Sequence, residues 1–319
     1  MYPQINNKTI LITGGRGFLG YHLASRLFKR SHTHIIVAGY RTDKEKYFKE
    51  GYFSDLTDYE SCLKLTENVD YVFHFAAKMG GIDYITKHGT EVMTNNVLVN
   101  TNMIKAAAEN GVEKFFFPSS FCVYPEILQR DPYPLEEDDA IPASPDTFYG
   151  WEKLFTEQML KSFRNKIKIR IARFVSIYGP EIAYTGGHEK SLPAICRKVI
   201  NAKHDGTIEI WGDGNQIRSF VYVDDALDAI ETIMESSHSC PFNVSGEDPI
   251  SINEIADQVI SLSKKNLTKV YNPQGVKGVD IRIANIDKIK TYLNWFPSIS
   301  IQEGIVKTYR WIERDIEKS

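Results

Sequence analysis

The chain has 319 residues, of which 42% are hydrophobic and 25% are charged, and its formal net charge is −3. This composition is typical of a globular protein that is large enough for two lobes. The small negative charge provides no basic surface for nucleic acid. No apolar run reaches the length of about 18 residues that a membrane helix needs. We therefore expect neither nucleic acid nor a membrane as a partner.

The cysteine pattern indicates reduced thiols rather than disulfides or a metal site. No two cysteines have CxxC spacing, and no signal peptide is recognisable before them. Unpaired thiols are the rule in reducing compartments. We expect a cytoplasmic protein without a bound metal, whose free thiols are Cys62, Cys122, Cys196 and Cys240.

The first apolar segment and the glycine-rich turn after it predict a dinucleotide site. Thr9–Thr13 is a short buried-strand pattern, and a helix-like stretch follows the turn as far as Lys29. Glycines three residues apart let the backbone approach a pyrophosphate, which then lies on a helix N-terminus. The residues predicted to contact the cofactor here are Gly14, Gly17, Phe18, Leu19 and Gly20.

The end of the second predicted strand bears on the choice between NAD and NADP. This strand, His34–Gly39, is followed by Tyr40 and Arg41. An acidic residue near this point usually binds the ribose of NAD, whereas a cation suits the 2′-phosphate of NADP. Arg41 therefore favours NADP, with a solvated loop charge as the equal alternative.

Two later strand ends are also predicted to contact the cofactor. Asp55, next to Leu56, either accepts a hydrogen bond from the adenine amine or caps the helix that runs through Leu65. The fourth predicted strand covers 69–77, and within it His74 is expected to be packed rather than catalytic. Small residues and a glycine loop at its end, where backbone can approach a ligand, are Ala76, Ala77, Met79, Gly80 and Gly81.

The stretch from the fifth predicted strand onward contains the residue types of a redox site. Phe115–Ser120 is an apolar strand that ends in small polar residues, which places Ser120 and Cys122 at the carboxyl edge of a parallel sheet. Tyr149 and Lys153 lie four apart, on one face of a predicted helix. A lysine charge stabilises a nearby phenolate and is expected to lower its pKa. Together these side chains predict a device that moves a hydroxyl proton while hydride leaves the same carbon.

The alternation of strands and helices predicts an α/β fold: a doubly wound parallel Rossmann sheet with a smaller C-terminal substrate-binding lobe. The acidic segment 125–145 is expected to be a solvated loop. We assign residues 1–176 to the dinucleotide-binding domain, with 213–245 returning to it. The predicted substrate-binding lobe comprises 177–212 and 246–319.

The second lobe contains candidate anion ligands. A turn precedes Ser219–Asp225, which is predicted to be a strand of the main sheet. Arg218 at the start of this strand suits bidentate phosphate binding, with a surface salt bridge as the alternative. Arg282 is a weaker second phosphate ligand.

Five motifs lie spread over nearly the whole chain: TGGRGFLG, SSFCVY, YGWEK, RFVSIYGP and GDGNQIRSFVYVDD. Together they resemble the extended short-chain dehydrogenase/reductase family of nucleotide-sugar enzymes. Three stretches, AAKMGG (76–81), SSFCVYPE (119–126) and GGHEKSLPAICRK (186–198), are similar to the GDP-mannose 3,5-epimerases within it. The resemblance implies a retained NAD, a GDP-linked substrate, and a homodimer formed through two sheet-flanking helices.

The resemblance also implies a role for each residue. Ser120, Tyr149 and Lys153 would serve transient oxidation at C4 of the sugar, which acidifies the protons at C3 and C5. Cys122 and Lys190 would then exchange protons on opposite faces of the ring, before C4 is reduced again. Ser176 stands where the family has asparagine in RFxNxYGP. The residues placed at the substrate are Met79, Gly80, Gly81, Ser176, Lys190, Trp211, Gln216, Arg218 and Arg282.

Neighbouring enzyme types fit the motifs less well. GDP-fucose synthases, the main alternative, have a histidine in place of Lys190. The 4,6-dehydratases have Asp-Glu after the catalytic hydroxyl, where this chain has Phe121 and Cys122. Plain 4-epimerases would leave the thiol and Lys190 unexplained, and a non-catalytic regulator would be expected to lack the tyrosine or lysine.

Overall fold

A computed structural model describes residue 5, residues 7–29 and 34–38, the backbone of 51–52, and residues 54–318. The predictions about cofactor choice from Tyr40 and Arg41 lie outside these residues. Within them the strands are β1 (Thr9–Thr13), β2 (His34–Ala38), β3 (Gly51–Tyr52), β4 (Tyr71–His74), β5 (Lys114–Ser120), β6 (Pro134–Leu135), β7 (Lys168–Phe174), β8 (Ser176–Tyr178), β9 (Thr207–Trp211), β10 (Ile217–Arg218), β11 (Phe220–Tyr222), β12 (Pro241–Val244), β13 (Ile250–Ser251), β14 (Thr268–Asn272) and β15 (Ile281–Ala284). The helices are α1 (Phe18–Phe28), α2 (Tyr59–Thr66), α3 (Ile82–Lys87), α4 (Gly89–Glu109), α5 (Phe148–Phe163), α6 (Ser191–Asn201), α7 (Val223–Glu235), α8 (Ile252–Ser263), α9 (Asp287–Leu293) and α10 (Ile301–Glu317).

The main sheet is parallel throughout the described residues. Its seven strands lie in the order β12-β7-β5-β4-β1-β2-β3. The strand order reverses between β1 and β4, which is the switch point at which doubly wound sheets bind dinucleotides. The predicted Rossmann sheet is therefore confirmed, and the carboxyl ends of β1, β4 and β5 lie side by side.

Helices cover both faces of this sheet, which explains why its strands are continuous apolar runs. Phe116 of β5 lies in the cluster that contains Leu23 of α1 and Ile230 of α7. Its neighbour Phe115 lies in a second cluster, with Met103 of α4. Successive side chains of a strand point to opposite faces, so each buried strand supplies two cores.

A small second sheet joins distant parts of the chain next to the main sheet. Its order is β13-β10-β15-β6. In this sheet β10 pairs with β15 in parallel, and the Cα partner of Arg218 is Arg282. Strand β6 comes from the segment 125–145 and pairs with β15, so this segment and the C-terminal part of the chain meet in one sheet.

The predicted strand Ser219–Asp225 is wrong in its length and its partner. Only its centre is extended, as β11, and this strand pairs with β8 rather than with the main sheet. Helix α7 begins at Val223, where Asp224 and Asp225 occupy the first turn. Acidic residues stabilise a helix N-terminus, so they end the strand here. The segment that returns to the main sheet is β12, which pairs with β7.

The acidic segment is not a fully solvated loop as predicted. Residues Glu137–Ala140 form a short 3-10 helix. Glu137 is only 9% exposed, and burial raises the pKa of its carboxyl group. Its Oε1 accepts a hydrogen bond of 2.8 Å from the backbone N–H of Asn243 in β12. One carboxylate of the run therefore fixes the edge of the main sheet.

His74 is a packed strand residue, as predicted. Its ring nitrogens lie 2.8 Å from Thr13 Oγ1 and 3.0 Å from Asn100 Oδ1. Burial lowers the pKa of His74 to about 3, with the Asn100 hydrogen bond opposing this shift. The folded protein thus keeps the ring neutral at the end of β4.

His74 should make the protein less stable as the pH falls. The unfolded chain binds a proton at this ring near pH 6.5, whereas the folded protein does so only near pH 3. Stability is therefore lost progressively between these values, by about 2 kcal/mol at about pH 5. The difference in free energy of unfolding between wild type and His74→Asn, measured by urea unfolding, should shrink by this amount between about pH 7 and about pH 5. An unchanged gap would contradict the assignment.

Candidate active site

The glycine-rich turn between β1 and α1 has the geometry of a pyrophosphate site. Gly14 has φ +63°, and a Cβ there would lie 2.6 Å from the backbone carbon of Phe75. A Cβ on Gly20 would overlap the carbonyl oxygen of Gly14. Gly17 is the N-cap of α1 without a side-chain hydrogen bond, followed by Phe18 and Leu19 in the first turn. The first N–H groups of α1 have no capping side chain, which fits a dinucleotide phosphate.

Asp55 does not cap α2. Its carboxylate accepts hydrogen bonds from the N–H and the hydroxyl of Thr57, at 2.9 and 2.7 Å. The N-cap is Asp58, whose side chain accepts from the N–H of Ser61 at 3.0 Å. Asp55 is exposed, and its contact with adenine remains a prediction. Leu56 is buried, and its carbonyl accepts from Asn102 Nδ2 at 3.2 Å.

The end of β4 lies where the cofactor groove is predicted. The N–H of Ala76 donates to Thr13 Oγ1 at 3.2 Å, which ties the ends of β4 and β1 together. Ala76 and Ala77 are both half-buried. Their small side chains leave room for a ligand over the carboxyl edge.

A close backbone contact holds the serine and the tyrosine together. Ser120 ends β5, and its hydroxyl accepts from the N–H of Cys122 at 3.1 Å. The same hydroxyl lies near enough to the phenol of Tyr149 to lower the pKa of that phenol. A Cβ on Gly150 would overlap the carbonyl oxygen of Cys122. Thr147 caps α5 by accepting from the N–H of Gly150 at 3.1 Å. Glycine at this position therefore lets α5 begin against the end of β5.

Burial dominates the electrostatics of the tyrosine and lysine pair. Burial raises the pKa of Tyr149 well above its usual value, the charges of Cys122 and Glu152 act in the same direction, and the Ser120 hydrogen bond opposes them. Lys153 Nζ lies 5.6 Å from the centre of the Tyr149 ring. Burial lowers the pKa of Lys153. The expected lowering of the tyrosine pKa is therefore not seen in the protein alone. An oxidised nicotinamide would add the positive charge that favours phenolate.

The guanidinium of Arg282 is hydrogen-bonded to the thiol of Cys122. Its Nη1 donates to Cys122 Sγ at 3.3 Å, and its Nε donates to Gln129 Oε1 at 2.6 Å. Its Nη2 lies 3.6 Å from Asp146 Oδ2. The guanidinium of Arg282, which was predicted to bind phosphate, is thus hydrogen-bonded to the sulfur. Reactive cysteines typically have a cationic group next to the sulfur.

Lys190 is brought to the same place by a close packing of two loops. The N–H of Gly81 donates to the carbonyl of His188 at 3.0 Å, and a Cβ on Gly81 would overlap the carbonyl oxygen of Glu189. Lys190 follows as the N-cap of α6. Burial lowers the pKa of Lys190; the charge of Cys122 opposes this shift and that of Arg282 adds to it.

The other predicted substrate residues surround this cleft to different degrees. Met79 is exposed, and the space above Gly80 is filled by Tyr84 of α3. Trp211 is exposed, and its indole N–H donates to Glu209 at 2.9 Å. Ser176 is half-buried at the start of β8.

Gln216 and Arg218 line the side of the small sheet. Gln216 is 4% exposed, and its Oε1 has no hydrogen-bond partner among the described residues. Arg218 donates to the carbonyls of Ile217 and Asp280, at 2.8 and 3.0 Å, and to that of Val279. Burial and the neighbouring Arg282 lower the pKa of Arg218 to about 9.

Sequence reasoning missed the residues that support Arg282. Gln129 and Asp146 carry no local motif, and Arg282 lies 153 residues from Gln129 and 160 from Cys122 in the chain. Gly150 was visible as part of YGWEK, but its contact with Cys122 was not. These partners meet only through the tertiary fold.

The described residues contain no group of three or more His, Cys, Asp or Glu side chains that could hold a metal ion. No helix among them is long and apolar enough to cross a membrane. Each of the four cysteines is free.

Comparison with known proteins identifies the family. The profile of the NAD dependent epimerase/dehydratase family matches residues 10–245. GDP-mannose 3,5-epimerase of Arabidopsis thaliana is 38% identical over 99% of this chain and 85% of its own length. "Probable GDP-L-fucose synthase 1" of Oryza sativa subsp. japonica is 27% identical over 96% of this chain and 92% of its own. The crystal structure of UDP-glucose 4-epimerase with UDP-glucose from Thermotoga maritima superimposes with a TM-score of 0.87 at 25% identity, over 97% of this chain and 99% of that one.

The chain belongs to the NAD dependent epimerase/dehydratase family. This confirms the predicted extended short-chain dehydrogenase fold and the prediction of an enzyme that is a nucleotide-sugar epimerase. The glycine turn at α1 fits the dinucleotide that such enzymes bind.

Removing the Arg282 guanidinium should make Cys122 less reactive. A cationic hydrogen-bond donor favours the reactive form of a sulfur but partly lowers its nucleophilicity, so Arg282→Met is expected to slow alkylation of Cys122 by iodoacetamide several-fold. Mass spectrometry of the labelled peptide gives the rate. Half-buried Cys240, distant in sequence from both residues, serves as the internal reference. An equal rate at Cys122 in variant and wild type would refute the role of the guanidinium.

Proposed function

We propose that this protein is a redox-neutral epimerase of the GDP-mannose 3,5-epimerase type. The observation that carries the proposal is that Lys190 lies near Cys122, whose neighbours include Ser120 and Tyr149. Lys190 lies near enough to Cys122 for the sulfur to influence its pKa. A tyrosine suffices for oxidation at one carbon, so two further proton-transfer groups favour inversion at neighbouring carbons.

The first stage prepares the sugar. When bound at the glycine turn, NAD(P) supplies reversible hydride transfer at C4. Tyr149 accepts the proton of the C4 hydroxyl, and Ser120 orients that hydroxyl and the phenol. Lys153 favours the phenolate by its charge, against the burial that raises the tyrosine pKa. The product of this stage is a 4-ketone, whose C3 and C5 protons are acidic.

The second stage inverts a carbon. Cys122, whose sulfur accepts a hydrogen bond from Arg282, takes a proton from C3 or C5 to give an enolate. Lys190, as ammonium, donates its proton to the opposite face of the same carbon. The lowered pKa of Lys190 makes this donation easier. Each inversion forms one C–H bond and breaks one, and the return of hydride to C4 leaves no net oxidation.

The proposed substrate is a nucleotide diphosphate sugar, with GDP-mannose as its best candidate. This choice rests on the 38% identity to the Arabidopsis enzyme. Trp211 and the unpartnered Oε1 of buried Gln216 are suited to a nucleoside. Arg218 would gain an anionic partner that offsets its repulsion by Arg282. Met79, Gly80, Gly81 and Ser176 border the sugar in this assignment.

Different segments of the chain would bind the cofactor and the substrate. Residues 1–176, with 213–245 returning through β12, would hold the cofactor, and 177–212 with 246–319 would hold the nucleotide sugar. The proposed cofactor is a retained NAD, in line with the family description. The NADP alternative depends on Arg41, and the cytoplasmic location stays a prediction.

GDP-fucose synthase activity with NADPH is the second candidate. The 27% identity to a rice protein of that name supports it. Lys190 at the position of the expected histidine argues against it, as does the higher identity of the epimerase relative. A 4,6-dehydratase or a plain 4-epimerase would give Cys122 and Arg282 no role.

Exchange of ring protons with solvent tests the proposal directly. With GDP-mannose in deuterated water and no added NADPH, we expect deuterium at C3 or C5 and new sugar isomers by NMR. Tyr149→Phe should lose both cofactor reduction and exchange, by about 10²–10⁴-fold. Cys122→Ser should lose exchange while cofactor reduction, followed by absorbance, survives. Lys190→Met should retain deuterium uptake from the thiol face and form no isomers.

Two outcomes would contradict this assignment. Unchanged exchange and turnover in Cys122→Ser would remove the acid/base role. Consumption of NADPH with a GDP-4-keto-6-deoxy sugar, and no exchange without NADPH, would move the protein to the synthase class. The nucleotide released on acid denaturation identifies the retained cofactor in the same preparation.

We also propose a homodimer formed through α4 and α5. Phe148, Trp151 and Phe155 form one stripe of α5 and are 58%, 41% and 51% exposed, and Leu98 on neighbouring α4 is 46% exposed. Large aromatic side chains that share an exposed helical face are typical of an interface. A second copy placing the same stripe against this one would bury them all.

A charge in this stripe should break the dimer. Phe155→Glu is expected to convert a dimer of two 36.4 kDa chains to the monomer, measured by light scattering after size exclusion. Phe296→Glu, at an equally exposed aromatic residue outside α4 and α5, is the matched control and should leave the dimer intact. A wild-type protein that is monomeric at micromolar concentration would refute the proposal.

A further inference from the structure

We propose that Tyr84 and His188 form a clasp that positions Lys190 against Cys122. The clasp consists of these two side chains and links α3 to the loop before α6. The inference rests on the proposed function, since it assigns to both residues an effect on one proton transfer. They would act through Lys190 and are therefore positioning residues.

The loop that carries Lys190 has little internal restraint. Residues 183–190 form neither helix nor strand. Gly186 and Gly187 have φ +89° and +80°, and a Cβ on either would meet nothing within 4 Å. A glycine pair in open space adopts many backbone conformations. The direction of Lys190 therefore depends on what the following residues contact.

His188 is the point at which this loop is attached to the α3 segment. Its ring centre lies 4.0 Å from that of Tyr84, with the planes at 44°. Its Nδ1 is 3.3 Å from the carbonyl oxygen of Met79, and its own carbonyl accepts from the N–H of Gly81 at 3.0 Å. A Cβ on Gly80 would lie 2.8 Å from Tyr84, so glycine there allows the ring to lie close to the backbone.

Tyr84 connects this attachment to the catalytic residues. It packs against the small hydrophobic cluster that contains Tyr149, together with Cys122 and Ile85. One side of the clasp thus packs against the cluster that contains Tyr149, and the other precedes Lys190 by two residues. The contact between Tyr84 and His188 therefore sets the position of Lys190 relative to Cys122.

A second attachment holds the other side of the loop but does not replace the clasp. Glu189 Oε1 pairs with Arg197 of α6 at 3.1 Å, and Arg197 Nε donates to the carbonyl of Tyr184 at 2.6 Å. These bonds join the loop to its own helix. The hydroxyl of Tyr184 also donates to Asp315 of α10 at 2.7 Å, so the start of the loop is held separately. The contacts of His188 with the α3 segment are the ones next to Lys190 in the chain.

The test compares isomer formation with deuterium uptake in the full-length enzyme. His188→Ala and Tyr84→Leu are expected to lower the rate of isomer formation from GDP-mannose about 100-fold, the effect of misplacing a reacting group by about 1 Å. Deuterium uptake into unchanged GDP-mannose and cofactor reduction should stay within about twofold, as for Lys190→Met. His188→Phe keeps a ring on Tyr84 and should restore isomer formation. His88→Ala is the matched control, because His88 also contacts the Tyr84 ring, at 4.6 Å, but lies between α3 and α4.

The outcomes separate the clasp from general damage and from the proposed function. Isomer formation that is unchanged, or that falls together with deuterium uptake and cofactor reduction, would overturn the clasp alone. Amide hydrogen exchange gives a second measurement: protection of residues 183–190 should fall in His188→Ala and not in His88→Ala, and equal protection in all three proteins would also overturn it. No deuterium uptake by the wild-type enzyme would overturn the proposed function and the clasp with it.

Discussion

The contact of Gly150 with the carbonyl of Cys122 is the constraint on which the active site depends. It allows α5 to begin against the end of β5, which brings Tyr149 to the hydroxyl of Ser120. Because α5 also carries Lys153 one turn later, this single contact places both of the proposed redox residues of the helix. A larger residue at position 150 would separate the helix from the sheet and with it the phenol from the hydroxyl.

The cationic side chains of the candidate site share a second feature: nearby negative charge does not offset the cost of burying them. Burial lowers the pKa values of Lys153, Lys190 and Arg218, and Arg282 adds to the effect on the last two. The carboxylate of Asp146, which lies 3.6 Å from Arg282, contributes negative charge to this site. A diphosphate would supply the missing negative charge, so the electrostatics of the protein alone favour an anionic substrate.

Much of the fold was predictable because its signals are local. The first strand was predicted with the bounds that β1 has. The glycine turn predicted the start of α1 and a dinucleotide as the ligand there. Predictions failed where a distant partner decided the outcome. Asp224 and Asp225 read as the end of a strand, yet they open α7, where Asp225 accepts hydrogen bonds from Ser298 and Ile299. Glu137 read as solvated, yet it is buried because Asn243 donates to it from the edge of the sheet.

The sequence by itself determined the α/β class and the dinucleotide turn. It also predicted that Ser120, Cys122, Tyr149 and Lys153 lie near one another, because spacing along one strand or one helix places them. Only the tertiary structure decided which groups surround the thiol. Arg282 reaches Cys122 because β15 pairs with both β10 and β6, and Lys190 arrives through the packing of Glu189 on Gly81. Such contacts join residues that are far apart in the chain, and no local pattern encodes them, since they depend on backbone pairing and on the space that glycine leaves.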